Sequence, residues 1–336
     1  MNRRDFMASS AAALAALRMP DPDSIIRRVR AKEGGPVQVG RGEVAAVRQM
    51  SKSLGDAAAE LGGGHARELA VRYLHDTVSA WLDGSWTEGT GRELFAATAQ
   101  LVHLTGWMAQ DEGNEAVAQQ YYAHSFRLAS EAGDPELAAT ALRGLAVQAI
   151  DLGFRATAVR IAEACVEQAG DIGDQRARAY YEATLANAAA LDGDRTTATA
   201  SLTASQKFIE RAAGAPGDSW ASHYSIGRWA HEAGMILAQL GDYESAQEHL
   251  HLALEVHGLD RRRTRAIVLA DLGTVRLRQE NVDGAFAAWD DFLDCADGIR
   301  SIKISTALDD MQARLYRLRN VSGAVELSER ATGLLR

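Results

Sequence analysis

The sequence predicts an all-α protein: a right-handed α-solenoid of about six helical hairpins, preceded by one further helical pair. Three observations predict it. The 336 residues are 47% apolar but only 6% aromatic, with 5 prolines, and Ala-rich chains poor in aromatics favour close helix–helix packing over sheets. A short motif, Gly then four residues then Ala, recurs at Gly113–Ala118, Gly153–Ala158, Gly193–Ala198 and Gly241–Ala246. Two more copies, Glu280–Ala285 and Arg319–Ala324, keep the Ala and replace the Gly. Finally, small and bulky residues stand in fixed register around that motif.

Taken in order, residues 1–40 read as an Ala-rich appendage. Their opening, MNRRDFMASSAAALAALRMPDPD, has the arginine pair and following Phe6 of a twin-arginine export signal. The apolar run is short, however, and Arg18 follows it directly where an uncharged cleavage region belongs, so an Ala-rich helix and a cytoplasmic protein are expected instead. Residues 41–88 form the helical pair, broken at Gly62-Gly63-Gly64. Residues 89–336 form the hairpins. In the four copies that keep it, the Gly supplies the positive φ that closes the first helix. The Ala marks the close crossing of the second helix. Seven residues before the Gly stands a small residue (Gly106, Ala146, Ala186, Gly234, Gly273), which in the sixth copy is Gln312. A bulky residue follows the Ala by four in Tyr122, Leu202, Leu250 and Trp289, and Ser125, Cys165, Ser205, Ala253, Phe292 and Ala331 follow it by seven. The spacings of 40, 40, 48, 39 and 39 include one long connection, RAAGAPGDSW, whose Gly and Pro mark a loop.

This register resembles the tetratricopeptide repeat, best in AGMILAQLGDYESAQEHLHLALEV, although that family's unit is about 34 residues. LGGGHARELAVRYLHDTVSAWLDG and the stretch through GWMAQDEGNEAVAQQYY further resemble the C-terminal sensor half of actinomycete helix-turn-helix regulators of the Cro/repressor type. In that family a DNA-binding module precedes the repeats. Here the match begins at the joint, so the resemblance implies a ligand- or partner-binding repeat domain without its own DNA reader.

The chemistry excluded is as telling. A net charge of −9 argues against a nucleic-acid surface, which needs concentrated Lys and Arg. The basic runs Arg27–Arg30 and Arg261–Arg265 read as solvated loop or helix ends. No stretch reaches the roughly 18 apolar residues of a membrane span. Cys165 and Cys295 are expected as free thiols. His249 and His251 lie two apart on a helix and cannot share a metal there. HEAGM at His231 lacks the second His of a zinc protease. No enzyme activity, metal or cofactor is expected.

What remains is surface. Solenoids bind peptides and helices on the concave face made by the first helices. First-helix positions flanking the small contact residue are Gln100, His103, Trp107, Gln110 and Asp111, then Arg143, Tyr180, Asn187, Arg228, His231, Met235 and Gln239. Amides pair with peptide backbone as donor and acceptor, Arg143 and Arg228 can fork onto a carboxylate, and Trp107 and Tyr180 supply amphipathic area. In peptide-sensing proteins of this build an Asn grips the ligand backbone, and the resemblance implies that role for Asn187. The expected function is a non-enzymatic repeat protein binding a peptide, small ligand or regulator protein in transcriptional or secondary-metabolism control. The alternatives are a scaffold for neighbouring enzymes and an exported envelope protein. Self-association as a homodimer stays open.

Overall fold

The structure, a computed structural model, describes residues 37–170, 172–217, 219–256 and 262–334. Most of the expected appendage, the first basic run, His257 and Arg261 therefore lie outside the described residues.

The architecture is the all-α solenoid that the repeat predicts. α1 (Arg41–Leu61) leads through a 3₁₀ turn (Gly63–His65) to α2 (Arg67–Tyr73), which runs through a π-turn (Leu74–Val78) into α3 (Ser79–Leu82). Ahead of α1, Val39 donates its N–H to the Ser85 carbonyl and Ser85 donates to that of Val37, both at 2.9 Å. Six hairpins follow: α4 (Glu88–Asp111) with α5 (Glu115–Ala132), α6 (Pro135–Asp151) with α7 (Arg155–Ala169), and α8 (Gln175–Asp192) with α9 (Arg195–Arg211). Then come α10 (Ile226–Gln239) with α11 (Tyr243–Val256), α12 (Arg262–Arg278) with α13 (Val282–Ala296), and α14 (Ile302–Arg317) with α15 (Ala324–Leu334).

Each part of the motif has a physical role. The four motif glycines carry φ of +77°, +72°, +90° and +83°. After each, the next N–H reaches back to the carbonyl five residues earlier, as in Asn114 to Ala109 and Asp242 to Leu237, which satisfies a carbonyl the helix end would orphan. Glu280 adopts the same turn at φ +62°, and Asn281 donates to Arg276 in the same register. The sixth copy closes differently: α14 ends at Arg317 and the positive φ moves to Gly323. All six crossing alanines are at most 1% exposed. Beside them a Cβ on Gly106 would stand 3.1 Å from the Tyr122 ring, one on Gly234 would stand 2.9 Å from Leu250, and Gly273 lies directly on the Trp289 indole.

The residue seven after the Ala also has a job. Ser125 Oγ, Cys165 Sγ and Ser205 Oγ donate to the carbonyls of Ala99, Ala139 and Ala179 at 2.9, 3.1 and 2.7 Å, each 26 residues upstream. This bond staples the second helix to the body of the first, and in the second hairpin a buried free thiol, a weaker donor than a hydroxyl, takes the same place.

The chain forms two compact units. One contains the described residues up to Ala57, His65–Gln110 and Asn114–Ile172; the other contains Ala58–Gly64, Asp111–Gly113 and Gly173 onward. In the first, Tyr122 fills the space between Gly106 and Gly144. In the second, Trp289, Phe292, Leu308, Met311 and Leu315 build a core with Ala266, Ala285 and Ala331, while Ala186, Ala189, Ala198 and Ile236 form another.

Candidate binding face

The second unit links first helix to first helix through polar pairs. From α8 to α10, the Arg228 guanidinium lies 4.6 Å over the Tyr180 ring and donates to its hydroxyl. About two turns further along α8 and three along α10, Gln239 Nε2 donates to Asn187 Oδ1 at 3.3 Å. From α10 to α12, His231 Nε2 lies 2.8 Å from Asp271 Oδ2. Arg228 Nε also sits 3.8 Å from Glu232, whose other oxygen accepts from the Tyr224 hydroxyl at 2.8 Å. Tyr224 stacks on Tyr180 with centroids 4.6 Å apart. Tyr180 is buried, so its ring is a wall and not a contact. The side chains that reach water are Arg228 at 34% exposure, Asp271 at 25%, Glu232 at 22% and His231 at 18%. Met235 and Asn187 are half-buried and Gln239 is exposed.

In the first unit the expected residues lie mostly inside. Gln110 is buried, accepting from the Tyr122 hydroxyl at 2.7 Å and donating to Asp151 at 2.9 Å. His103 is buried with its ring 5.1 Å from that of Tyr122. Arg143 is 8% exposed. Gln100 and Trp107 keep partial exposure. The expectation that Gln110, His103 and Arg143 line an open face is therefore corrected: the helix wheel puts them beside the crossing residue, where the next helix covers them.

Asp111 needs the largest correction. It lies in the second unit with its side chain 1% exposed, and it accepts from Gly63 N–H at 2.9 Å, Ser301 Oγ at 2.7 Å and the Arg263 Nε and Nη2 donors. Around this clasp, Arg300 N–H donates to the Leu61 carbonyl at 3.1 Å and Arg262 N–H to Glu60 at 3.3 Å. Nothing is left for a ligand. The second basic run is likewise structural, since Arg262 donates to the Cys295 and Asp297 carbonyls and Arg265 to that of Leu254.

Sequence reasoning missed Tyr224, Glu232, Asp271 and Asp151. Two of these carried a signal: Asp271 stands 40 residues after His231, and Asp151 stands 41 after Gln110, so each pair occupies the same place in successive repeats. Tyr224 gave none, because it comes from the irregular connection before the Ser225 cap.

Among the described residues no three His, Cys, Asp or Glu converge on a possible metal. His249 packs on Trp229 at 5.4 Å, while His251 meets Arg276 at 3.2 Å, so the two rings diverge as their spacing requires. Burial, with Arg276 beside it, holds His251 below the usual histidine range. Among the described residues no helix is long and apolar enough to cross a membrane.

Comparison with solved structures agrees with the fold. A Rap protein, solved in complex with competence and sporulation factor, superposes with a TM-score of 0.53 at 13% identity, over 88% of this chain and 96% of that one. BtubC from P. vanneervenii gives a TM-score of 0.44 at 16% identity, over 74% and 91%. No family model matches the chain, and no curated protein does. At 13% identity the likeness to the Rap protein is one of fold alone: an all-α helical repeat.

Proposed function

We propose that this chain is a non-enzymatic, cytoplasmic repeat receptor that binds an extended peptide on the face shared by α8, α10 and α12, and that it acts within a regulatory circuit, in line with the resemblance to the sensor halves of helix-turn-helix regulators. The observation that carries the reading is the set of cross-repeat polar pairs. In the Asn187–Gln239 pair one amide N–H and one carbonyl satisfy each other. That leaves the Asn187 NH₂ and the Gln239 carbonyl, which are the donor and acceptor complementary to one peptide unit. Neighbouring helices pack about 8–10 Å apart, and an extended chain covers that in about three residues at roughly 3.3 Å each. A peptide crossing from α8 to α12 can thus meet the amide pair, then His231 and Asp271. Arg228, fixed by Tyr180 and Glu232, presents a pre-ordered guanidinium beside it. That a Rap protein of the same fold was solved holding a factor supports the reading.

The test is panning of a random heptapeptide library against the protein, followed by fluorescence anisotropy of enriched peptides. Wild type should bind them, and Asn187→Ala with Arg228→Ala should weaken binding at least about tenfold, the loss of one or two charge-assisted or amide bonds, with the circular dichroism unchanged. Failure to enrich any peptide, or equal affinity in the double variant, overturns the proposal.

A further inference from the structure

The sequence and fold leave the outer face of α9 unexplained. Its inner face is spent: Ala198, Ser201, Ser205 and Ile209 are buried, and Leu202 packs on the Ala186 cluster. The outer face borders an open groove of about 780 Å³ lined entirely by α9. Arg195, Thr199, Thr203, Lys207 and Arg211 form one row at four-residue intervals, and Thr196, Ala200, Ala204 and Phe208 form a second beside it. From Arg195 to Arg211 the helix rises roughly 24 Å.

Two properties of this face stand out. Its floor is Thr and Ala, so another helix can approach closely without displacing large side chains. Its lining holds three cations and no carboxylate, in a chain with 45 acidic and 36 basic residues. The C-terminal end is more basic still. Arg178 caps the Phe208 ring at 4.2 Å, and Arg176 is fixed there by the Gly214 carbonyl at 2.8 Å. The nearby carboxylates are already engaged: Asp194 caps the helix through Thr197 at 3.0 Å, Glu210 accepts from Gln206 at 2.9 Å, and the half-buried Glu182 is paired with Ser201. Cations in a last turn also complement the helix's own dipole, and at the first turn Arg195 donates one guanidinium N–H to the Leu240 carbonyl at the end of α10, which fixes the side chain and leaves its other donors for a carboxylate; neither role accounts for the uncharged floor between them.

We propose that the outer face of α9 docks an acidic α-helix of a partner protein, its small side chains against the Thr/Ala floor and its carboxylates three to four turns apart at Arg195 and at Lys207–Arg211. A second copy packing α9 on α9 is disfavoured, because it sets cations against cations. A nucleic acid is disfavoured by an apolar floor and by phosphates spaced far more densely than these charges. This surface is separate from the peptide face proposed above.

The experiment uses the full chain and two fluorescent 21-residue Ala-rich helical peptides. One carries Glu at the positions facing Arg195, Lys207 and Arg211, and the other carries Lys there. The Glu peptide should bind at least about tenfold tighter than the Lys peptide at low salt. Raising the salt should weaken it, and the exposed substitutions Lys207→Glu with Arg211→Glu should reverse the preference. Asn187→Ala with Arg228→Ala should leave it unchanged. Equal binding of the two peptides, no effect of the charge reversal, or full competition by a short oligothymidine each overturn the proposal.

Discussion

Removing the carboxylate charge at Asp111 should be among the most damaging conservative changes in this protein. Asp111→Asn keeps the shape and alters one atom. It leaves the Arg263 guanidinium, with its side chain 11% exposed, without its counter-ion. It also replaces one of two accepting oxygens, one facing Gly63 N–H and Arg263 Nε and the other facing Ser301 Oγ and Arg263 Nη2, with an NH₂ that can only donate. Breaking a buried ion pair by removing one partner costs about 3–5 kcal/mol, against a total stability of about 5–15 kcal/mol. An exposed pair such as Lys52–Asp56, with both side chains over 60% exposed, contributes only about 0.3–0.5 kcal/mol. Urea unfolding followed by circular dichroism should therefore move strongly for Asp111→Asn and barely for Lys52→Ala. Because the penalty comes mainly from the stranded charge, Arg263→Met added to Asp111→Asn should recover part of the loss. A loss below about 1 kcal/mol for Asp111→Asn, or strict additivity of the two changes, would refute the assignment of Asp111 to a structural clasp.

Two further outcomes follow from single positions. Glu280 holds a left-handed conformation that disfavours a side chain by about 1–2 kcal/mol; Glu280→Gly should stabilise the protein by up to about 1 kcal/mol, read as a raised urea midpoint, and a destabilised variant would show that the Glu side chain carries a contact worth more than the strain. His124 is held below the usual histidine value by burial first and then by Arg127. The unfolded chain therefore binds the extra proton first, so this contribution to stability is complete above about pH 6.5 and is lost as pH falls from there toward the depressed folded value. Unfolding midpoints at pH 7.5 and 5.5 should differ by less in His124→Phe than in wild type, and an equal difference in both would place the titration elsewhere.

The hairpins were legible because their signals are local and repeated. A Gly that must be left-handed, an Ala that must be small and a bulky residue one turn after it are each constraints on residue type, and several copies in one register outweigh the ambiguity of any one. The sixth turn escaped because Gly323 took over from the motif position, an exchange that preserves the hairpin while breaking the pattern. The division at Ile172–Gly173 also left no mark, since the motif spacing across it is an unbroken 40 residues. The clasp could not be read at all. Asp111 and Gly63 are 48 residues apart, and Asp111 and Arg263 are 152 apart; no periodicity connects them, and each looks alone like a helix end.

The candidate face lies between these cases, and the reason is geometric. Helix periodicity identifies which first-helix positions flank a crossing, but it does not say which flank the next helix covers. That single ambiguity sent Gln110, His103 and Arg143 inward and left Arg228, His231 and Gln239 at the surface, although all six were selected by the same rule. Repeat spacing resolves part of it. In a solenoid, residues one period apart in successive first helices are neighbours, so complementary pairs at about that separation are expected to touch. His231 and Asp271 at 40, and Gln110 and Asp151 at 41, obey this directly. Tyr180 with Arg228 at 48 and Asn187 with Gln239 at 52 follow the one enlarged spacing in the array, the 48 from Gly193 to Gly241. The long connection thus shifts numbering without greatly shifting register, and it adds Tyr224 beneath Arg228. It converts an ordinary repeat boundary into one with a close tyrosine pair and a fixed guanidinium, which is why the candidate face is richest in polar side chains between α8 and α10.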